Sequence, residues 1–280
     1  MSGTTMETPV SNPCLPADYH THTVLCKHAS GTPAECVAHA AARGLAELAF
    51  TDHAPDPSGY DAGSRMDPDE FAEYVAMLAP SRSAAPLPVL FGIEADYYAG
   101  CEAYLRPWLQ ARPFDVVVGS VHFIGDWGFD NPAHRRVWEQ VDLPQTWRAY
   151  FSLIARMAQT GMFDIAAHLD LPKKFGHRLP DALLLELGTP ALDAIARAGM
   201  ALEINTGGLR KPVQEIYPAP ALLAAAHARG IPICFGSDAH QPSEVGAAFE
   251  AAVQLARAAG YRDYRRYRRR TPLSVPLPPS

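Results

Sequence analysis

Short, continuously apolar runs recur along the chain, each preceded by an alanine-rich stretch and a glycine. Residues 34–43, Gly44 and residues 46–51 form the first copy, and residues 150–160, Gly161 and 163–167 the second. Residues 183–198, Gly199 and 200–204 follow, then residues 221–229, Gly230 and 231–235. The alanine-rich stretches predict helices, and a glycine just past a helix accepts the left-handed conformation that closes its last turn. The apolar runs do not alternate with polar residues, which predicts strands buried on both faces, as in a parallel sheet. Residues 89–93, 116–120 and an opening run around 17–19 complete the set. About seven strand–helix units predict a closed or nearly closed (β/α) barrel, with a doubly wound open sheet as the alternative. Residues 55–67 and 126–143 read as long loops after the second and fourth strands, on the side where functional loops of barrels gather.

Apolar residues make up 48% of the chain and charged residues 19%, enough to bury a large core in one piece. No Pro/Gly/Ser linker divides the chain, so one domain is expected over residues 17–280. Residues 1–16, small, polar and proline-containing, read as a flexible arm. The formal net charge of -6 argues against a nucleic-acid backbone as partner. The basic stretch 261–270 reads instead as a solvated helix or edge. A small anionic substrate would have to be met by local positive charge, from metal ions or a few placed Arg and Lys. The 5 cysteines form no CxxC pair, which fits reduced thiols in the cytosol better than disulfides or a cysteine zinc site. No apolar run approaches the ~18 residues of a membrane span, and the N-terminus lacks a leader pattern. A cytoplasmic protein without membrane contact is the expectation.

The composition holds one oddity, 11 histidines. His20 and His22 end the first expected strand, His53 the second, Glu94 the third and His122 the fourth. His168 ends the fifth, Asn205 the sixth, and Asp238 with His240 the seventh. A single strand-end histidine is ordinarily a hydrogen-bonded rim residue. A set spread over most strands at one end is not explained by packing, because buried imidazoles need partners, and a divalent cation supplies them. Residues i and i+2 of a strand face the same way, so His20 and His22 can meet one ion, as can Asp238 and His240. His28, in the loop after the first strand, can swing over the same face. His39 and His227 read as structural or exposed within helices, and His134 as a loop residue. His177, after a Lys-rich loop, is a candidate substrate contact or general acid.

These residues carry a resemblance. HTH at 20–22, TDHAP at 51–55, GIEADYY at 92–98, GSVHFI at 119–124, AHLDLPKKFG at 167–176, EINTGGLRKPVQEIYP at 203–218 and GSDAH at 236–240 stand in that order. The set resembles the PHP (polymerase and histidinol phosphatase) superfamily, and within it the histidinol-phosphatase branch. The resemblance implies a distorted (β/α)7 barrel with three divalent metal ions, Zn, Mn or Fe, at its C-terminal face. Carried over by position, His20, His22, Glu94 and Asp238 would hold one ion. Glu94 would bridge to a second ion also held by His122 and His168, and His28, His53 and His240 would hold a third. The implied activity is hydrolysis of L-histidinol phosphate, a small phosphomonoester, in histidine biosynthesis.

The catalytic residues expected on this basis are Glu94, Asp238, His240 and Arg210, with metal-activated hydroxide attacking phosphorus and Arg210 holding the phosphate. Lys173, Lys174, Lys211, Asn205 and His177 are the further candidates for substrate contact. A guanidinium fork suits phosphate, and paired glycines such as Gly207 and Gly208 let backbone N–H groups approach an anion. No Ser or Cys stands in a nucleophile motif, so a covalent route is not expected. Competing readings are another phosphoesterase activity on the same scaffold, acting on a different monoester or a nucleotide, a non-catalytic metal-binding module, and an amidohydrolase-type barrel.

Overall fold

Local signals start and stop several of the helices. In the computed structural model, which describes residues 15–279, α1 (Pro33–Ala42) opens on a capping box. Glu35 N donates to Thr32 Oγ1, and Thr32 N donates to the Glu35 carboxylate at 2.7 Å. β1 (Leu48–Phe50), α2 (Phe71–Ala84), β2 (Val89–Asp96), α3 (Glu102–Gln110) and β3 (Val116–Ser120) follow. A small hairpin, β4 (Phe123–Ile124) and β5 (Trp127–Gly128), precedes α4 (Leu143–Gln159) and β6 (Ile165–Ala166). Then come α5 (Asp181–Ala198), β7 (Ala201–Asn205), α6 (Pro220–Ala228), β8 (Ile233–Gly236) and α7 (Phe249–Ala258). The chain ends in an antiparallel hairpin of β9 (Asp263–Arg268) and β10 (Thr271–Pro276).

The alanine–glycine pattern locates α1, α4, α5 and α6 but not α2 or α3, which carry Pro80 and Pro107 inside them. The loop expected over 126–143 is partly ordered: it contains β5 and 3-10 turns over Pro132–Glu139.

Six parallel strands form one sheet in the order β1-β2-β3-β6-β7-β8. This sequential order excludes the doubly wound alternative. The two sheet edges are joined by the segment that begins the described chain. Asp18 N donates to Glu47 O (2.9 Å) and Ala49 N to Asp18 O (2.8 Å) on one side. Tyr19 N donates to Phe235 O and His22 N to Ala239 O, both 2.9 Å, on the other. With that segment as the seventh stave, the sheet is the distorted (β/α)7 barrel expected, around one contiguous hydrophobic core. Of the arm expected over 1–16, residues 1–14 lie outside the described residues. Leu15 is buried and bridges Leu45.

The basic tail is neither a helix nor a free edge. Arg266 and Arg268 pair with the buried Glu47, and Arg270 Nε lies 2.9 Å from Asp164 Oδ2. Tyr267 N donates to Tyr19 Oη (3.0 Å), and the two rings meet edge-on. Glu47 and Asp164 stand just before strands β1 and β6, so the hairpin plugs the N-terminal end of the barrel and its charges meet buried carboxylates. The C-terminal end stays open.

Candidate metal centre

At the open end, strand direction does the gathering. Parallel strands all present their last residues at one mouth, so side chains distant in sequence converge there. Glu94, on β2 and 1% exposed, occupies the middle. Its Oε2 faces His53 Nδ1 at 3.0 Å, His20 Nε2 at 3.1 Å and His22 Nε2 at 3.6 Å. Its Oε1 faces His168 Nε2 at 3.4 Å and His122 Nε2 at 3.7 Å. Asp238 Oδ1 stands 3.3 Å from His22 Nε2, 3.6 Å from His240 Nδ1 and 3.9 Å from His20 Nε2. The His240 ring stacks between His22 and His28, with centroids 4.2 and 4.6 Å away. All nine residues expected to hold metal are thus brought into one cluster.

Whether the cluster suits cations is decided by its unsatisfied atoms. Both oxygens of Glu94, His20 Nε2, His22 Nδ1, His53 Nδ1 and His168 Nδ1 are buried without a hydrogen-bond partner. Buried polar atoms are ordinarily paired, and leaving one unpaired costs about 1–3 kcal/mol. Donor atoms of His20, His22 and Asp238, of His20, Glu94 and His168, and of His22, His53 and His240 lie within 4.8 Å of one another in each group. Imidazole nitrogens and carboxylate oxygens so arranged fit borderline divalent ions. The Cys26 thiol, buried and with its pKa pushed up to about 12, chiefly by burial, shares such a group with His28 and His240.

Behind the cluster stands a layer of carboxylates that sequence reasoning did not single out. Glu203 Oε1 accepts from His20 Nδ1 at 2.7 Å, while its Oε2 accepts from the His168 amide and from Asn205 Nδ2, both at 2.9 Å. Asp96 Oδ1 accepts from His122 Nδ1 at 2.6 Å. Asp52 accepts from the His53 amide (2.8 Å) and lies 3.6 Å from His22 Nδ1. Asp18 accepts from Ser237 and Gly246 and ties the first stave to the last. Such partners orient imidazoles and raise their basicity as ligands. The available signal was spacing: Asp18 precedes His20 by two residues, Asp96 follows Glu94 by two, and Glu203 precedes Asn205 by two, so each pair shares a face.

The charges are strongly polarised. Burial opposes protonation of His20, but Glu203, Glu94 and Asp238 outweigh it and hold its pKa well above the ordinary value. The same contest raises His22 to about 9, through Asp238, Asp52 and Glu94, and His122 to about 10, through Asp96 and Asp130. Burial wins at His53 and His240, aided by the neighbouring His22, and holds both well below the ordinary value. Burial would raise Glu94 and Asp238, yet the surrounding imidazoles hold both well below the carboxylate range.

The cluster floors a cavity of about 690 Å³. Lys174 and Lys211, both expected at the substrate, line it, and so do Asp61, Asp130 and Arg135 from the two long loops expected on this side, together with Phe123 and Phe175, which sequence reasoning missed. Other expected contacts are placed elsewhere. Arg210 does not line the cavity: its Nη2 donates to Ser237 O (2.7 Å) and Asp238 O (3.0 Å), and its Nε lies 3.2 Å from Glu244. It thereby braces Asp238, a non-glycine residue in the left-handed region at φ 53°. Lys173 is 3% exposed and bound to Asp170 (2.9 Å) and Glu215 (3.2 Å). Asn205 is fully buried, donating to Glu203 and accepting from the Gly207 amide. His177 stacks on Trp138 at 4.5 Å, outside the cavity lining. In each case a nearer partner inside the fold takes the group that sequence reasoning assigned to substrate.

A closed parallel barrel with imidazoles and carboxylates facing one another at its open mouth defines a class, the metal-dependent barrel proteins. Within that class the chain belongs to the PHP family: the PHP-domain model matches residues 18–207 and the PHP-associated model residues 223–253. The chain is 47% identical over 247 residues to a probable histidinol-phosphatase of Deinococcus radiodurans, covering 88% of this chain and 94% of that protein. It is 28% identical over 264 residues to the histidinol-phosphatase of Bacillus subtilis, covering 85% and 98%. The crystal structure of the histidinol phosphate phosphatase of Lactococcus lactis, complexed with zinc, L-histidinol and phosphate, has the same fold. It superposes with a TM-score of 0.77 at 23% identity, covering 92% of this chain and 98% of that one.

Proposed function

We propose that this protein is a metal-dependent histidinol-phosphatase, hydrolysing L-histidinol phosphate to L-histidinol and phosphate in histidine biosynthesis. The observation that carries the reading is Glu94, whose two buried oxygens face separate groups of histidines on the floor of the cavity. The likeness to named histidinol-phosphatases supports the choice of substrate. His20, His22, Glu94 and Asp238 would hold one ion, Glu94, His122 and His168 a second, and His28, His53 and His240 a third, with Zn, Mn or Fe as the metals. Bound there, divalent ions supply a Lewis acid for the phosphoryl group and make water a better nucleophile near neutral pH.

The chain's own residues do the rest. Glu203 and Asp96 hold His20 and His122 with Nδ1 turned away from the cavity and Nε2 toward Glu94. Lys211 and Arg135 bring positive charge to the cavity, joined by Lys174, whose Nζ is held 2.9 Å from Asp130 Oδ2, and this local charge meets a phosphate dianion on a chain whose net charge is -6. Asp61 and Asp130 offer acceptors for the substrate's amine, and Phe123 and Phe175 offer flat apolar faces for its imidazole. Steady-state kinetics on histidinol phosphate, a nucleoside monophosphate and p-nitrophenyl phosphate, with metal analysis of the same sample, test this. A kcat/KM for histidinol phosphate at least about a hundredfold above the others is expected, as for a site that pairs polar substrate groups. Equal values for all three would sink the substrate assignment.

A further inference from the structure

We propose that Asp96 and Arg65 form a positioning pair that aims the His122 ring and, through the same ion pair, anchors the cavity-lining loop of residues 55–67. The proposal rests on reading His122 as a metal ligand. Asp96 closes β2 and is 5% exposed. Its Oδ1 accepts from His122 Nδ1 at 2.6 Å and from Ser120 Oγ at 2.8 Å. With the proton on Nδ1, the Nε2 lone pair is left pointing to the cluster, 3.7 Å from Glu94 Oε1. Its Oδ2 accepts from Arg65.

Arg65 belongs to no helix or strand, yet it is 3% exposed. Its Nη1 donates to Ala54 O at 2.9 Å, its Nη2 lies 3.5 Å from Asp61 Oδ2, and its guanidinium sits 5.0 Å from the Tyr60 ring centroid. Tyr60 in turn stacks on Tyr98 at 4.2 Å and packs on Phe123 at 4.7 Å. Asp61 and Ser64, from the same loop, line the cavity. A buried guanidinium holds this place only with a counter-charge, and Asp96 supplies it. Glu203, the equivalent partner of His20, is bonded instead to Asn205 and the His168 amide, both on the barrel. So at His122 the orienting carboxylate is shared with a loop outside the barrel. A cation held by His122 would strengthen the Nδ1–H bond to Asp96 and restrict the carboxylate on which Arg65 is seated. By linkage, an ordered loop must then favour metal by the same factor.

Asp96→Asn, Arg65→Met, their double variant and His122→Ala would be compared for metal bound per chain in a graded chelator and for amide exchange over residues 55–67. Asp96→Asn and Arg65→Met should each weaken one ion by about 10- to 100-fold and abolish the protection that metal confers on the loop. The double variant should cost less than the sum of the singles. It leaves no lone buried charge, so it keeps the test readable if a single variant does not fold. Faster loop exchange with metal binding unchanged would reduce the pair to a structural anchor and overturn the proposal. If His122→Ala loses an ion and the pair variants do not, the positioning role of the pair fails while His122 stands as a ligand. If His122→Ala binds as much metal as the parent protein, the ligand reading fails with it.

Discussion

At the scale of single residues, the site is a contest between burial and charge. Glu203 gives both oxygens to the metal cluster's support, one to His20 and one to the His168 amide and Asn205. Glu203→Gln keeps the shape but presents an amide to the ring, so metal affinity or kcat/KM should fall by about 10- to 100-fold. Metal content and turnover on one preparation check it, and unchanged values for both would remove Glu203 from the site. The raised imidazoles make a second prediction. His22 at about 9 and His122 at about 10 keep their protons at neutral pH in the metal-free protein, and metal must displace them. Apparent metal affinity should therefore climb about tenfold per pH unit for each proton displaced, levelling above pH 9 to 10. Their folded values exceed the unfolded value of 6.5, so the stability they contribute is complete below pH 6.5 and is lost as pH rises through 9 and 10. Calorimetry from pH 7 to 10 should show the metal-free midpoint falling away from the metal-loaded one. A constant gap between the two would contradict the assignment. The histidines were legible because their chemistry is rare at strand ends. The carboxylates behind them were not, because an isolated Asp or Glu in a sequence reads as surface until burial is known.

At the scale of elements, strand ends carry most of the clustered histidines and carboxylates, and small residues beside them set the fine geometry. Gly236, the last residue of β8, lies where a side chain would collide with the Glu203 carboxylate and stand 2.7 Å from His20 Cβ. Gly236→Ala should destabilise the fold by about 1–3 kcal/mol and lower metal content at the same time. Urea unfolding with and without metal separates the two effects, and a variant as stable and metal-rich as the parent would show that the stave can shift. The barrel strands were legible because both their faces are buried, which writes itself as continuous apolar runs. α2 and α3 were not, because no glycine closes them; internal proline alone does not hide a helix, since α5 carries Pro190 and was located. The terminal hairpin was misjudged for another reason. Its arginines look solvated in sequence, while their partners Glu47 and Asp164 lie more than a hundred residues away.

At the scale of the whole molecule, the barrel is plugged by the hairpin below and opens onto the charged cavity above, so the histidine–carboxylate cluster and the fold share the same staves. Ions that bind only the folded chain stabilise it by mass action, about 2.7 kcal/mol per ion at a hundredfold excess over Kd. For a chain of this size that corresponds to roughly 5–10 °C. Dialysis against chelator should lower the thermal midpoint by at least that much, with zinc or manganese restoring it; a midpoint indifferent to chelator would argue that the cluster holds no tightly bound ion. Among the described residues no helix is long and apolar enough to cross a membrane. The sequence by itself determined the parallel strands, the end at which their chemistry gathers and the strand-end histidines and carboxylates that meet there, because strand burial and i, i+2 spacing are local properties; strand order in the structure then decided for the barrel over the doubly wound sheet. Only the tertiary structure decided which cations face the cavity. Lys173 and Lys174 are neighbours of one type, yet Lys173 is spent on Asp170 and Glu215 while Lys174 lines the cavity beside Asp130. A long side chain follows the counter-charges the fold brings to it: Asp170 is three residues from Lys173, but Glu215 and Asp130 lie some forty residues away along the chain from the lysines they meet.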